Sequence, residues 1–153
     1  MRVDLNFDKA LNYAYRLLKF RPRSEVELIR RLKKQRVTDA VIKKLISYLK
    51  EKGLIDDNEF AKRWVESRLR IPLGFRRLRA ELSEKGINEK IISQVISEAK
   101  ADYKEDQLVY KLARQKLSKL KNIEPYKAKR RLYAYFIRHG FSPDVVMETI
   151  NQL

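Results

Sequence analysis

The sequence predicts an all-α fold, an elongated tandem array of three three-helix repeats, and three observations predict it. Charged residues make up 37% of the 153 residues, while glycine and proline number only four each, a composition typical of helical proteins. No stretch alternates between apolar and polar residues as a half-buried strand does. Finally, three sets of apolar residues share spacings of four and five residues: Leu28, Leu32 and Val37; Leu78, Leu82 and Ile87; Leu132, Phe136 and Phe141.

The residues that follow each set are also alike. The three segments are Val37-Thr38-Asp39, Ile87-Asn88-Glu89 and Phe141-Ser142-Pro143-Asp144. In each, a side-chain oxygen of Thr38, Asn88 or Ser142 is expected to cap a helix, and the acid complements the positive end of the helix dipole. Pro143 suits the first position of a helix. This agreement predicts repeats at residues 1–56, 57–100 and 101–153.

The helices of the first repeat follow from apolar spacing and capping signals. The first helix has one apolar stripe: Ala10, Leu11, Ala14, Leu17 and Leu18. Ser24 with Glu27 forms a capping box that opens the second helix. The third helix is predicted from Asp39 to about Lys52 and has its own stripe: Val41, Ile42, Leu45, Ile46 and Leu49.

The second and third repeats show the same order of stripes and caps. Asp56, with Glu59 three residues later, is expected to cap the first helix of the second repeat. That helix has an apolar stripe that places Trp64 in the core: Phe60, Ala61, Trp64, Val65 and Leu69. The stripes of the third repeat include Leu108, Val109, Leu112 and Leu117, then Val145, Val146 and Ile150. Three glycines are expected to end helices in the left-handed conformation: Gly53, Gly86 and Gly140.

The charge of the chain restricts its class of function. With 36 Lys and Arg against 20 Asp and Glu, the net charge is +16, which favours a polyanionic or acidic partner. A thermophile's charged surface is the alternative, but ion-pair networks need balanced signs. There is no cysteine and only one histidine, His139, so we predict no metal site, no cofactor and no catalytic residue. Asp56-Asp57 is the paired acid that we consider for catalysis, and helix capping explains it better.

Basic residues at the start of two second helices are the first binding candidates. Arg76 and Arg77 open the second helix of the second repeat, near Arg68, Arg70 and Arg79. Cations there oppose the helix dipole, which indicates a helix start that receives a phosphate or carboxylate. The alternative is that these arginines pair with Glu81 or Glu84.

Two further groups are weaker candidates. In the third repeat Lys129, Arg130 and Tyr133 lie early in the second helix, and Tyr133 and Tyr135 are the aromatic candidates for a binding face. In the first repeat, Arg30, Arg31, Lys33 and Lys34 close the second helix. Basic residues at a helix C-terminus also complement its dipole without any partner.

Three segments carry a family resemblance: "RSEVELIRRLKKQRV", "YLKEKGLIDDNEFAKRWVESRLR" and "FRRLRAELSEKGI". Together they resemble the RecX family, bacterial regulators of the RecA recombinase, strongly over residues 10 to 100 and more weakly beyond. The segment "IPLGFRRLRAEL" departs from the more basic, glycine-rich turn usual in the family. The resemblance implies a non-enzymatic protein that binds RecA filaments on single-stranded DNA. It also implies inhibition of filament growth, strand exchange and ATP hydrolysis. Separately, we expect a cytoplasmic protein and a monomer.

Two other classes remain open: a DNA-binding protein, and a scaffold that acts purely by protein contacts and would bind no DNA even at low salt. A helix-turn-helix DNA-binding protein would carry basic residues on its third helices, but "EKIISQVISEAK" and "PDVVMETINQL" carry few. Weak, non-specific binding to single- or double-stranded DNA remains the alternative function, and it would fall steeply with salt. The segment MRVDLNFDKA has no apolar core of a signal peptide, and no membrane association is expected.

Overall fold

The computed structural model describes residues 5–153, with side chains from residue 6 onward. Residues 1–4 of the predicted first repeat lie outside this range. Within it the chain forms nine helices and no strand: α1 (Leu5–Phe20), α2 (Glu25–Lys34), α3 (Asp39–Glu51), α4 (Asp57–Arg68), α5 (Phe75–Glu84), α6 (Glu89–Ala99), α7 (Glu105–Ser118), α8 (Pro125–Arg138) and α9 (Pro143–Asn151). The prediction of an all-α fold is therefore confirmed.

Most of the predicted helix caps are present. Ser24 and Glu27 form the predicted capping box at the start of α2. The Oγ1 atom of Thr38 accepts a bond from the Val41 amide (3.4 Å). Asn88 accepts one from the Lys90 amide (2.9 Å). The prediction for Ser142 is wrong, because its side chain makes no capping bond at α9. Pro143 opens α9 as predicted, and its fixed φ and missing N–H reduce the need for a cap.

The three predicted glycine helix ends are confirmed, and a fourth left-handed residue was missed. Gly53, Gly86 and Gly140 have φ of 69°, 75° and 83°, and Arg36 has φ of 59°. When the three repeats are aligned, Arg36 occupies the position of Gly86 and Gly140. This position lies directly before the apolar residue and the capping residue that recur in each repeat. Its side chain is exposed, so this position tolerates a side chain despite the unfavourable backbone conformation.

The chain divides into two compact units. One contains the residues up to Trp64 together with Leu82–Ile92, and the other contains Val65–Glu81 and Ser93–Leu153. In the first unit α1, α2 and α3 surround a core that includes Ala14, Leu28 and Leu45. In the second, α7, α8 and α9 surround Phe136 and its neighbours. The helices of the middle repeat contribute to both units, and the repeat boundaries after residues 56 and 100 stay predictions.

Trp64 is less buried than its place in the apolar stripe predicts. Its indole is half-buried and stacks on the Phe60 ring, with the ring centres 6.0 Å apart. The Lys85 ammonium lies 4.4 Å from the centre of the indole ring. Trp64 therefore combines apolar packing with a cation–π contact.

Candidate functional site

The starts of α2 and α5 are capped in the same way by an acid from later in the chain. At α2 the Glu25 amide donates to a carboxylate oxygen of Asp57 (2.9 Å). At α5 the Phe75 amide donates to a carboxylate oxygen of Glu105 (2.6 Å). Asp57 and Glu105 are themselves the first residues of α4 and α7. In each case a single carboxylate lies near the starts of two helices, and the dipoles of both helices stabilise its negative charge.

Two neighbouring amides at the start of α5 are also bonded within the chain. The Gly74 amide donates to the carbonyl of His139 (2.9 Å), and the Arg76 amide donates to the carbonyl of Gly140 (3.1 Å). Together with the Phe75 amide, which donates to Glu105, three consecutive backbone amides have hydrogen-bond partners within the chain. Glu105 therefore already supplies one anion at this helix start, and the interpretation of the arginines there as a site for an external phosphate or carboxylate stays a prediction.

Tyr103 holds the turn that precedes α5. Its hydroxyl donates to the Leu73 carbonyl (2.7 Å) and accepts from the Leu73 amide (3.2 Å). Burial raises the pKa of Tyr103, and the nearby charge of Glu105 raises it further, although the bond to Leu73 acts the other way. The sequence analysis missed Tyr103 and Glu105. For Glu105 the available signal was the matching acid Asp57 at the start of the preceding repeat.

The paired acids Asp56 and Asp57 both have structural partners. One carboxylate oxygen of Asp56 accepts from the amides of Asn58 (2.9 Å) and Glu59 (3.2 Å), which confirms the predicted cap. Asp57 is engaged by the Glu25 amide, as described above. Burial raises the pKa of Asp57 above its ordinary value, although the bond from Glu25 lowers it. Both carboxylates therefore have a role in helix capping.

Ser24 and Glu27 join the start of α2 to the end of α5. Ser24 is fully buried, and its hydroxyl donates to the Lys85 carbonyl (2.6 Å). The Glu27 carboxylate pairs with Arg21 and lies 3.7 Å from the Lys85 ammonium. Burial favours the neutral carboxyl of Glu27. The bonds from Arg21 and the Ser24 amide and the charges of Lys85 and Arg21 outweigh it, so its pKa lies below the ordinary value of 4.5.

The Glu27 ion pairs give the protein a measurable pH dependence. Because the folded-state pKa is lowered, the stability that Glu27 contributes is fully present above pH 4.5 and is lost as the pH falls through the folded value. Glu27→Gln is expected to lower the free energy of unfolding at neutral pH by about 1 kcal/mol, since the pairs are partly exposed to solvent. The difference should shrink in acid, as followed by urea denaturation. Glu66→Gln, at an exposed position, is the control; a loss in Glu27→Gln that persists in strong acid would contradict this assignment.

The predicted basic group around α5 divides into paired and unpaired residues. The Arg68 guanidinium binds both carboxylate oxygens of Glu81, with its Nε 3.0 Å from Oε2 and its Nη2 2.8 Å from Oε1. The Nε of Arg77 lies 3.5 Å from the same Oε1, as the alternative of Glu81 pairing predicted. Arg79 reaches the Ser93 hydroxyl at 3.4 Å. Arg70 and Arg76 are exposed, and neither forms an ion pair with a described residue.

The groups on α2 and α8 are mostly exposed. On α2, Arg31, Lys33 and Lys34 are exposed, while an Arg30 nitrogen donates to the Glu84 carbonyl (2.9 Å). On α8, Lys129 is half-buried and Arg130 is exposed, with its guanidinium 5.9 Å from the centre of the Tyr126 ring. Tyr133 is 36% exposed.

Tyr135 differs from the expectation that it lies on an open binding face. Its ring stacks on His139 at 4.0 Å between ring centres, and the Lys116 ammonium lies 3.9 Å from the ring centre. The ring is half-buried, so Tyr135 packs against its neighbours. His139 is the C-cap residue of α8.

Neither a metal-binding cluster nor a membrane span is found in the described part of the chain. Residues 5–153 contain no group of three or more His, Asp or Glu side chains that could hold a metal ion. In the same range no helix has the length and apolar character required to cross a bilayer.

These features define a tandem helical repeat protein with several basic surface groups. Comparison with known families then identifies it. Residues 10–53 match the first three-helix domain of RecX, residues 56–96 match the second, and residues 104–150 match the third. The chain belongs to the RecX family of regulatory proteins.

Similar proteins agree along nearly the whole chain. The regulatory protein RecX of Chlorobium phaeobacteroides (strain BS1) is 38% identical over 152 residues, covering 99% of this chain and 97% of that protein. That of Mycolicibacterium smegmatis is 34% identical over 149 residues, covering 94% and 79%. The crystal structure of RecX from Lactobacillus salivarius has a TM-score of 0.86 at 20% identity, covering 99% and 98%. This last similarity confirms the fold.

Proposed function

We propose that this protein binds RecA recombinase filaments on single-stranded DNA and inhibits their growth, strand exchange and ATP hydrolysis. The observation that carries the proposal is the match to all three RecX domains between residues 10 and 150, together with relatives named regulatory protein RecX. In this proposal the protein is a cytoplasmic monomer without enzymatic activity or cofactor. Its only contact with DNA is weak and independent of sequence.

The basic character of the chain supports an acidic or polyanionic partner. The net charge of +16 produces a field that attracts such a partner and raises its association rate. Among the basic residues around α5, we propose Arg70 and Arg76 as the main contacts with the partner, because both are exposed and form no ion pair in the described structure. Arg77 and Arg79 come next.

Arg68 has a different role in this proposal. Its bonds to Glu81 make it a residue that positions Glu81 next to Arg77. The remaining predicted contacts are secondary candidates on α8 and α2: Lys129, Arg130, Tyr133, Arg30, Arg31, Lys33 and Lys34.

The test is a titration into RecA filaments assembled on single-stranded DNA, with ATP hydrolysis as the signal. Naked DNA binding is measured in parallel over a salt series. We expect hydrolysis to fall when the protein is well below one copy per recombinase subunit, at a salt concentration where naked DNA is no longer bound. If hydrolysis changes only when DNA is stripped away, the protein acts through DNA phosphates and the proposal fails.

Two variants with the same change of charge locate the contact. Arg70→Gln with Arg76→Gln is expected to weaken inhibition about tenfold, which corresponds to a loss of about 1.4 kcal/mol in binding. Lys43→Gln with Lys44→Gln, both exposed on α3, should leave inhibition within about threefold, since it changes only the long-range field. Equal losses in the two variants would contradict a specific contact at α5.

A further inference from the structure

A groove of about 420 Å³ lies between the end of α7 and α8, within the second unit. Four of the residues that line it are cationic, and none is acidic: Lys116, Lys119, Arg131 and Arg138. None of the four forms an ion pair with a described residue. The sequence analysis missed Lys116 and Lys119, because they lie at the C-terminal end of α7 and not on α8 with the two arginines.

The four cations line a single groove. A concave surface with charges of one sign concentrates the electrostatic potential. The four charges repel one another, and an anionic occupant would relieve that repulsion. The charge of this groove therefore indicates an occupant with several negative charges.

The rest of the lining is apolar and distinguishes between kinds of anion. Leu120, Leu132 and Ala134 lie among the lining residues, and this combination suits an apolar side chain as well as acidic ones. A single-stranded nucleic acid whose bases stack on the protein would need an open aromatic face. The one aromatic residue of the groove, Tyr135, already has His139 and the Lys116 ammonium about 4 Å from its ring centre.

We infer that this groove binds an acidic polypeptide segment that inserts an apolar side chain between the cations. The carboxylates would lie against Lys119, Arg131 and Arg138, and the apolar side chain would cover Leu120 and Ala134. This surface contains none of the residues assigned to the filament contact above, so the inference stands independently of the proposed function.

The experiment uses the full chain and a short fluorescein-labelled peptide of glutamates around a central leucine. Binding is followed by fluorescence anisotropy at physiological salt. Comparison ligands are the same peptide with glutamine for glutamate, the peptide with serine for leucine, and single-stranded oligothymidine. We expect the original peptide to bind, and each altered peptide to bind about tenfold more weakly or not at all.

Variants connect the binding to the groove. Lys119→Gln with Arg138→Gln should weaken peptide binding about tenfold. Lys121→Gln with Lys127→Gln, which removes two exposed cations outside the groove, should change it less than about threefold. Ala134→Glu places an acid at an exposed helical position and should abolish peptide binding, with the helical circular dichroism unchanged.

Three outcomes would overturn the inference. Equal losses in the two double variants would mean that the peptide responds only to net charge. If replacing leucine by serine leaves the affinity unchanged, the apolar residues of the groove do not contact the peptide. A groove variant that lowers affinity for oligothymidine but not for the peptide would identify the groove as a nucleic-acid site.

Discussion

Gly140→Ala is expected to lower the free energy of unfolding by about 3 kcal/mol, because two unfavourable effects act at one position. The residue has a φ of 83°, and a side chain in the left-handed region costs roughly 1–2 kcal/mol. An added Cβ would also lie 2.3 Å from the Cβ and 2.5 Å from the backbone nitrogen of Arg77. Relieving that overlap requires a backbone shift, which typically costs about 1–3 kcal/mol.

Gly53→Ala is the matched control for this prediction. Gly53 has a similar φ of 69°, but a Cβ there would meet nothing within 4 Å. We expect a loss of only about 1 kcal/mol, from the backbone conformation alone. Urea denaturation followed by circular dichroism measures both variants. Equal losses would show that the close approach of Gly140 to Arg77 is relieved without cost.

Glu105→Ala is expected to lower the free energy of unfolding by about 2–3 kcal/mol. The Phe75 amide, which Glu105 binds at 2.6 Å, belongs to a buried residue. Without the carboxylate that amide loses a charge-assisted bond, and leaving a buried donor unsatisfied costs roughly 1–3 kcal/mol. Glu105→Gln retains an acceptor oxygen and should lose less, about 1 kcal/mol.

Asp106→Ala provides the control for Glu105. Asp106 is the next residue in the first turn of α7 and carries the same charge, but it is exposed. Its removal should cost at most about 0.5 kcal/mol, from the helix dipole alone. Hydrogen exchange at the Phe75 amide is the direct measurement. Protection that is unchanged in Glu105→Ala would contradict the assigned bond.

The local structure of this protein could be predicted where one turn of helix contains all the determinants. The Ser24–Glu27 capping box, the Asp56 cap and the three glycine helix ends each depend on residues within a few positions of one another. Apolar spacing likewise identifies the helices, because only one stripe of each needs burial. The predicted Ser142 cap is absent, because Pro143 provides another way to begin α9.

The candidate site was predicted less well, since it depends on residues that are distant in the sequence. The arginines at the start of α5 were interpreted as an anion-binding terminus, but Glu105, some thirty residues later, already binds the Phe75 amide there. Arg68 was chosen for binding, but it pairs with Glu81. Lys116 and Lys119 were overlooked because only the packing of α7 against α8 places them beside Arg131 and Arg138.

The sequence by itself therefore determined the helices, their order in repeats, the family and the basic character of the chain. These are set by the local pattern of apolar, capping and charged residues, which can be recognised without knowing any long-range contact. Only the tertiary structure decided which charges remain available to a partner. The reason is that a charged side chain or a helix-end amide is satisfied by whichever group the folded chain brings within hydrogen-bonding distance, and spacing in the sequence does not specify that group.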